Sequence, residues 1–195
     1  MKLFNTCTLL ATAAATTAGM SASAATLASW DVFTDTGTLA ADATATGVTA
    51  SISEIDTIIR DARSNNGSTD GTYGTTLSGA STTAGQLRLE KAAAGDGDLA
   101  VNITNGTGAA LQLDELLFDF RIQAANSGAV TQDTYSIVFE NTTQSTTSAV
   151  LGSETLVHPG AGGIVWYSLD IDASSVSLAA GDVGRFVISF SGGTN

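Results

Sequence analysis

The stretch from Leu111 to Ile122, LQLDELLFDFRI, indicates most directly how this chain folds. Apolar and polar residues alternate along it, as in a strand that is buried on one face, but the apolar positions are odd-numbered up to Leu113 and even-numbered from Leu116 onward. A straight strand cannot bury both sets, because successive side chains point to opposite faces of a sheet. The sequence therefore predicts a strand with a bulge or tight bend at Asp114-Glu115, where an extra residue re-aims the side chains.

The same alternation continues along the chain in pieces of about five to eight residues, separated by clusters of Gly, Asn, Asp, Ser and Thr. The alternating apolar sets are Ala28-Trp30-Val32, Val48-Ala50-Ile52, Leu87-Leu89, Leu99-Val101-Ile103, Tyr135-Ile137-Phe139, Val165-Tyr167-Leu169-Ile171 and Phe186-Ile188-Phe190. They predict about eight to ten strands and an all-β fold, an antiparallel β-sandwich. No linker divides the chain, so residues 26–195 are expected to form a single domain.

One segment departs from this pattern and favours a helix. Ile55, Ile58, Ile59 and Ala62 have the i, i+3, i+4, i+7 spacing of an amphipathic helix. Ser53 precedes them as an N-cap, and acidic residues come before basic ones along the segment, as the helix dipole favours. The sequence predicts one short helix near residues 53–63, packed over one end of the sandwich.

Residues 1–25 have the positive charge, apolar core and small-residue end of a secretory signal peptide. A membrane anchor is the alternative, but threonines interrupt the segment and it falls short of the roughly 20 apolar residues that a span requires. Cleavage is expected to leave a chain that begins at Ala25 or Thr26. Because Lys2 and Cys7 would be removed, the product would contain no cysteine and depend on no disulfide. The sequence thus predicts a secreted protein.

The overall composition excludes several classes of function. The chain has 195 residues, with 19 Asp and Glu against 7 Lys and Arg, and its sequence pI is about 4.1. Such an acidic chain has no basic surface that could neutralise phosphates, so binding to nucleic acid or to anionic membranes is not expected. One His and one Cys are too few for zinc fingers, Cys-His nucleophile pairs or multi-His metal centres.

Two sets of residues bear on catalysis. His158, the single imidazole, lies in a Pro- and Gly-rich stretch typical of a turn, without a Gly-x-Ser-x-Gly elbow, so a Ser-His-acid triad is not expected. Glu115 and Asp119 invite comparison with the acid-rich strand of laminarinase-like glycosidases, whose carboxylates stand two positions apart. Here Leu117 separates the two acids, so the spacing departs from that pattern. The sequence predicts a protein that is not an enzyme, with a glycoside hydrolase of β-sandwich fold as the less favoured alternative.

Calcium stays open as a structural ligand, because secreted sandwiches often bind it with loop oxygens. The acidic positions that could serve are Asp96-Gly97-Asp98, Asp170-x-Asp172 and Asp70-Gly71. None matches a complete calcium-loop consensus, and Asp-Gly is also ordinary hairpin chemistry. No single cluster is preferred, and no other cofactor is expected.

Trp166 is the residue that points to a ligand. Its neighbours Val165, Tyr167 and Leu169 form the apolar alternating set, which leaves Trp166 in the other set, together with Asp170. An exposed aromatic ring stacks on the apolar face of a sugar, so Trp166 is the candidate binding residue of a carbohydrate-binding module. The alternative is that Trp166 lies covered beneath a loop or the predicted helix.

Several stretches resemble secreted, exosortase-sorted proteins of Gram-negative bacteria, the PEP-CTERM proteins. They are Trp30-Asp31-Val32-Phe33, the segment from Leu113 to Phe120, and Leu178 to Asp182 leading into Phe186 to Phe190. The resemblance implies a jelly-roll-like sandwich that is exported and held at the cell surface or released into extracellular polysaccharide. We therefore expect a non-catalytic surface or matrix protein that associates with polysaccharide, with a carbohydrate-binding module as the alternative.

The C-terminal signature of that family is Pro-Glu-Pro, an apolar span and a basic tail, whereas this sequence ends at Ser191-Gly192-Gly193-Thr194-Asn195. The chain stops just after a strong strand pattern, in a turn-like sequence where a sandwich usually adds one more strand. We expect the domain to be truncated at its C-terminus, so that Asn195 is not the natural end.

Overall fold

The structure is a computed structural model that describes residues 2–13, 25–30, 38–55, 57–63, 86–91, 97–123, 132–157 and 164–192. Within these ranges every regular element is a β-strand, and every strand pair is antiparallel. The predicted all-β, antiparallel class is therefore confirmed. Residues 64–84 are rich in Gly, Ser and Thr and predict a long loop with a weak strand near Tyr73, and this stretch lies outside the described residues.

The strands form two sheets of seven strands each. In chain order they are β1 (Lys2–Ala13), β2 (Ala25–Trp30), β3 (Leu39–Ala40), β4 (Ala43–Thr44), β5 (Val48–Glu54), β6 (Thr57–Arg63), β7 (Gln86–Lys91), β8 (Gly97–Asn105), β9 (Leu111–Gln123), β10 (Gln132–Asn141), β11 (Thr146–Thr147), β12 (Gly152–Val157), β13 (Ile164–Leu178) and β14 (Val183–Gly192). Sheet I has the order β13-β9-β1-β2-β4, and β7 joins it by pairing with β1 and β6. Sheet II has the order β11-β10-β14-β8-β5-β3, and β12 pairs with β10.

Buried apolar side chains from both sheets form one cluster. The largest of the fully buried ones are Trp30, Phe118, Phe186, Phe190, Leu9, Ile52, Leu99 and Ile103. Each such side chain contributes about 1.5–3 kcal/mol by leaving water. Trp30, expected in the core, is 1% exposed, and its indole Nε1 donates a hydrogen bond of 3.2 Å to the backbone oxygen of Leu39. That bond satisfies the one polar atom that a buried Trp carries.

Strand β9 has the bulge that its sequence predicts. Leu111 and Leu113 are buried, and so are Leu116 and Phe118, which belong to the opposite parity. The pairing with β1 passes from Leu113 directly to the residue after Asp114, so Asp114 has no opposite residue on β1. This extra residue turns both apolar sets toward the core, and the prediction of a bulge at Asp114-Glu115 is confirmed.

The short helix predicted near residues 53–63 is wrong. Residues up to Glu54 continue β5, and β6 begins at Thr57 and pairs with β7. Ile55, which the helix would have buried, is 36% exposed. The segment contains three Ile and one Thr, whose β-branched side chains favour strands, and pairing with β7 outweighs the helical spacing of its apolar residues.

The predicted signal peptide overlaps the central strand of sheet I. Strand β1 lies between β9 and β2 and is antiparallel to both. Leu9 is fully buried, with Leu116 of β9 opposite it on one side and Ala28 of β2 on the other. In the uncleaved chain the segment is thus part of the fold, while its cleavage stays a prediction.

A buried asparagine, Asn105, connects the end of β8 to two neighbouring turns. Its Nδ2 donates to the backbone oxygens of Ala109, Leu178 and Ala179 at 2.7, 2.8 and 3.0 Å. Its Oδ1 accepts from the backbone N and the Oγ1 of Thr107 at 3.0 and 2.7 Å. One side chain therefore satisfies backbone groups that would otherwise lie unpaired beside the core.

Asn105→Ala is expected to lower the free energy of unfolding by about 2–3 kcal/mol, because it removes the partner of the buried Leu178 oxygen and of several partly buried polar groups. The matched control is Asn102→Ala on the same strand, since the partly buried Asn102 donates mainly to Ser53 Oγ at 2.8 Å. This control is expected to cost about 1 kcal/mol or less. Urea unfolding followed by circular dichroism measures both, and equal losses in the two variants would contradict the role given to Asn105.

Candidate functional site

The candidate site is the face that β9 and β13 turn away from the core, which we call the β9–β13 outer face. Leu169 and Ile171 of β13 are buried, and the alternation leaves Asp170 and Asp172 exposed. Glu115 of β9 is half-buried and pairs directly with Asp172 across the two strands. The fold therefore brings carboxylates from two distant parts of the sequence onto one surface.

The carboxyl group of Glu115 loses its proton less readily than an ordinary Glu side chain. Partial burial raises its pKa above the usual value, and the neighbouring charges of Asp170, Asp114 and Asp172 raise it further. Like charges on adjacent strands repel one another, so each added carboxylate disfavours ionisation of Glu115.

Asp172 has the opposite behaviour. The backbone N of Ser174 donates to Asp172 Oδ1 at 2.8 Å. Hydrogen bonds from the Ser174 side chain and backbone lower the pKa of Asp172 because they stabilise its ionised form. The ladder with β9 is irregular between Asp172 and Val176, and this irregularity makes room for the turn-like bond. Two facing carboxylates with opposite shifts in pKa thus lie on this face.

The residues predicted as sites are distributed differently from expectation. The sequence considered Glu115 and Asp119 together, but each of them faces a different residue of β13. Glu115 is opposite Asp172, and Asp119 is opposite Ser168. Trp166 pairs with Arg121 in the same ladder, in the alternating set of β13 that contains Asp170. The side chains of Asp119 and Trp166 lie outside the described residues.

The remaining candidates fall mostly outside the described ranges. His158, Asp96 and Asp70-Gly71 belong to that undescribed part. Asp98 is described, and its backbone oxygen accepts a bond of 3.2 Å from the N of Ile55. Among the described residues, no three His, Cys, Asp or Glu side chains are grouped so as to hold a metal ion. Calcium therefore remains an expectation from the sequence only.

A second polar cluster, which the sequence did not indicate, joins β14 to the turn after β10. The Nδ2 of Asn141 and the Nε2 of Gln144 donate to Asp182 Oδ2 at 2.8 and 2.6 Å. Asn141 Oδ1 accepts from the backbone N of Gln144 at 2.9 Å. These bonds satisfy a buried carboxylate and close the turn, so the cluster stabilises the fold. The polar residues from Asn141 to Gln144 are typical of a turn, but nothing in the sequence indicates that Asp182 is their partner.

Comparison with protein-family models and with curated proteins adds no relative. No protein-family model matches the chain, and no curated protein is similar enough to count as one. The part of the chain that the structure describes contains no helix that could cross a membrane.

The Glu115→Gln variant is expected to be slightly more stable than the parent above neutral pH. A carboxyl group whose pKa is raised by folding favours the folded state below its unfolded pKa and loses that contribution as the pH rises through the folded value. At high pH the Gln side chain removes the repulsion between Glu115 and the neighbouring carboxylates. The gain in the free energy of unfolding should therefore disappear as the pH falls toward the usual pKa of Glu. Because solvent screens this face, the gain should stay within about 1 kcal/mol.

Urea unfolding of both proteins between about pH 3 and pH 8 measures this difference. Glu54→Gln, on the exposed end of β5 in sheet II, controls for the loss of one negative charge. A pH-independent difference for Glu115→Gln, or the same profile for both variants, would contradict the repulsion.

Proposed function

We propose that this protein is an exported, non-catalytic protein of the cell surface or extracellular matrix, with a jelly-roll-like sandwich fold, and that it associates with polysaccharide. Export is supported by the charge, apolar and small-residue pattern of residues 1–25. The resemblance to PEP-CTERM proteins supports the same compartment.

The proposal that the protein is not an enzyme rests on the hydrogen bonds of the buried polar side chains among the described residues. Asn105 and Asn141 donate to backbone and carboxylate oxygens within the fold, and buried Asp182 accepts from the amides of Asn141 and Gln144. These groups are engaged in stabilising turns and are not presented to a ligand. This use of polar groups suits a structural protein.

The exposed surface suits a hydrated polymer. Ser145, Thr146 and Thr147 are exposed at and just after the end of the turn that follows β10, and the outer face of β13 exposes Asp170 and Asp172. Hydroxyl groups exchange hydrogen bonds with sugar hydroxyls, and a strong net negative charge opposes self-association. The formal net charge of −12 becomes one unit more negative when Lys2 is removed.

When the full reading frame is expressed in a Gram-negative host, the protein is expected in the extracellular or cell-surface fraction, with Ala25 or Thr26 as its first residue. The physical reason is that the export machinery removes the segment that ends in small residues. Cell fractionation and intact-mass measurement test both points. Replacing two apolar residues of the segment, Leu9→Arg and Leu10→Arg, is the control and should retain the protein in the cytoplasm. An uncleaved chain in the cytoplasm of the unaltered strain would contradict the proposal.

The alternative proposal is a carbohydrate-binding module that uses Trp166. Its support is the ladder register, which places Trp166 opposite Arg121 and in the alternating set of Asp170. An aromatic ring beside polar groups on a flat sheet face is a common way to bind a sugar chain.

Trp166→Ala is expected to abolish glycan-array binding if this alternative holds, because the ring provides most of the contact area with a sugar. Ser177→Ala, at an exposed position of the same strand, is the control that should leave binding unchanged. An array without signal for the unaltered protein would eliminate the module. Any glycosidase activity that survives in Glu115→Gln would likewise exclude Glu115 as a catalytic acid.

A further inference from the structure

Strand β1 occupies a space between strands that do not pair with each other. Its ladder with β9 runs from Lys2 opposite Ile122 to Ala13 opposite Leu111. Its other edge pairs with β2 from Cys7 to Ala11 and with β7 from Lys2 to Phe4. Neighbouring strands lie about 4.8 Å apart, so β9 and β2 are separated by about twice that distance. The space is therefore one strand wide.

The strand β2 is fixed on the side away from β1. The backbone N of Ala45 donates to the oxygen of Leu27 at 2.8 Å, and the ladder with β4 continues this edge. The Trp30 indole donates to Leu39 O at 3.2 Å, which connects the end of β2 to sheet II. Moving β2 toward β9 would break these bonds and withdraw Trp30, which is 1% exposed, from the core.

The strand β9 is fixed on its other side as well. It pairs with β13 along most of its length, and Gln112 Nε2 donates to the backbone oxygens of Ser174 and Val176 at 2.6 and 2.7 Å. Since both walls are held from outside, loss of β1 would leave an open slot and would not bring the walls together.

We propose that removal of the N-terminal segment turns the slot between β9 and β2 into an acceptor site for one extended polypeptide strand of another molecule. The removal itself rests on the proposed export. The occupant is a peptide and not a sugar, because the free edges of β9 and β2 present alternating N–H and C=O groups at the spacing of a β-strand.

The strand that now fills the slot defines the chemistry of the partner. The occupant runs antiparallel to both walls and carries an aliphatic residue at the position of Leu9, between Leu116 and Ala28. All three of these side chains have no exposed surface. Apart from Lys2 the segment Lys2–Ala13 has no charged residue, so the partner strand is an uncharged stretch of about ten residues rich in Leu, Ala and Thr.

The test uses the full chain with a site-specific protease sequence inserted between residues 14 and 24. After the folded protein is cut, the released N-terminal fragment is removed in mild denaturant, and a dye-labelled peptide of sequence Lys2–Ala13 is added. We expect one-to-one binding, slow hydrogen exchange restored in the amides of β9 and β2, and a higher thermal midpoint. The same peptide with Leu9→Asp is expected to bind at least tenfold more weakly, because the charge would enter a fully buried position.

Two results would overturn the proposal. One is a stripped protein whose β9 amides stay protected without peptide, which would show that the walls close on each other. The other is equal binding of the Leu9→Asp peptide or of a scrambled peptide, which would show non-specific adhesion. Failure of the export proposal gives a different result, since the first residue of the cellular protein would then precede Ala25 while the cut protein still takes up the peptide.

Discussion

Sheet I is organised around the pairing of β9 with a strand on each side. The strand must bury Leu111 and Leu113 as well as Leu116 and Phe118, which requires a bulge at Asp114. The same insertion turns Glu115 outward, where it faces Asp172 of β13. One extra residue thus sets the core contacts of sheet I and the charges of its outer face.

The sequence was informative wherever alternation was the only regular pattern. The strands around Ile103, Ile137 and Ile188, and the bulge in β9, follow directly from the parity of their apolar residues. The segment near Ile58 and Ile59 predicts a helix because three isoleucines have helical spacing, but the segment forms a strand. Whether this segment forms a helix or a strand depends on whether a partner strand is present. Its partner is β7, whose residues are far away in the sequence.

The candidate site was predictable only in part for the same reason. The sequence indicated acidic residues of β9 as a less favoured catalytic pair and acidic residues of β13 as one of three calcium clusters with none preferred. It did not indicate that residues of the two strands meet. Asp119 stands close to Glu115 in sequence, whereas the ladder register puts Asp172 opposite it. The raised pKa of Glu115 arises from its partial burial and from the carboxylates around it, and the lowered pKa of Asp172 arises from the hydrogen bonds of Ser174. Neither shift can be read from spacing along one strand.

The N-terminal segment shows how one composition satisfies two physical demands. A signal peptide core and a central strand both require an uncharged, mainly apolar stretch, so one segment can serve both uses, although its sequence alone predicts only the signal peptide. In the sheet, the backbone of β1 pairs with β9 while Leu9 covers Leu116. Water could replace the hydrogen bonds of the lost strand but not its apolar contact. A chain without this segment would have its β9 edge solvated and the row at Leu116 uncovered, and only another strand meets both demands at once.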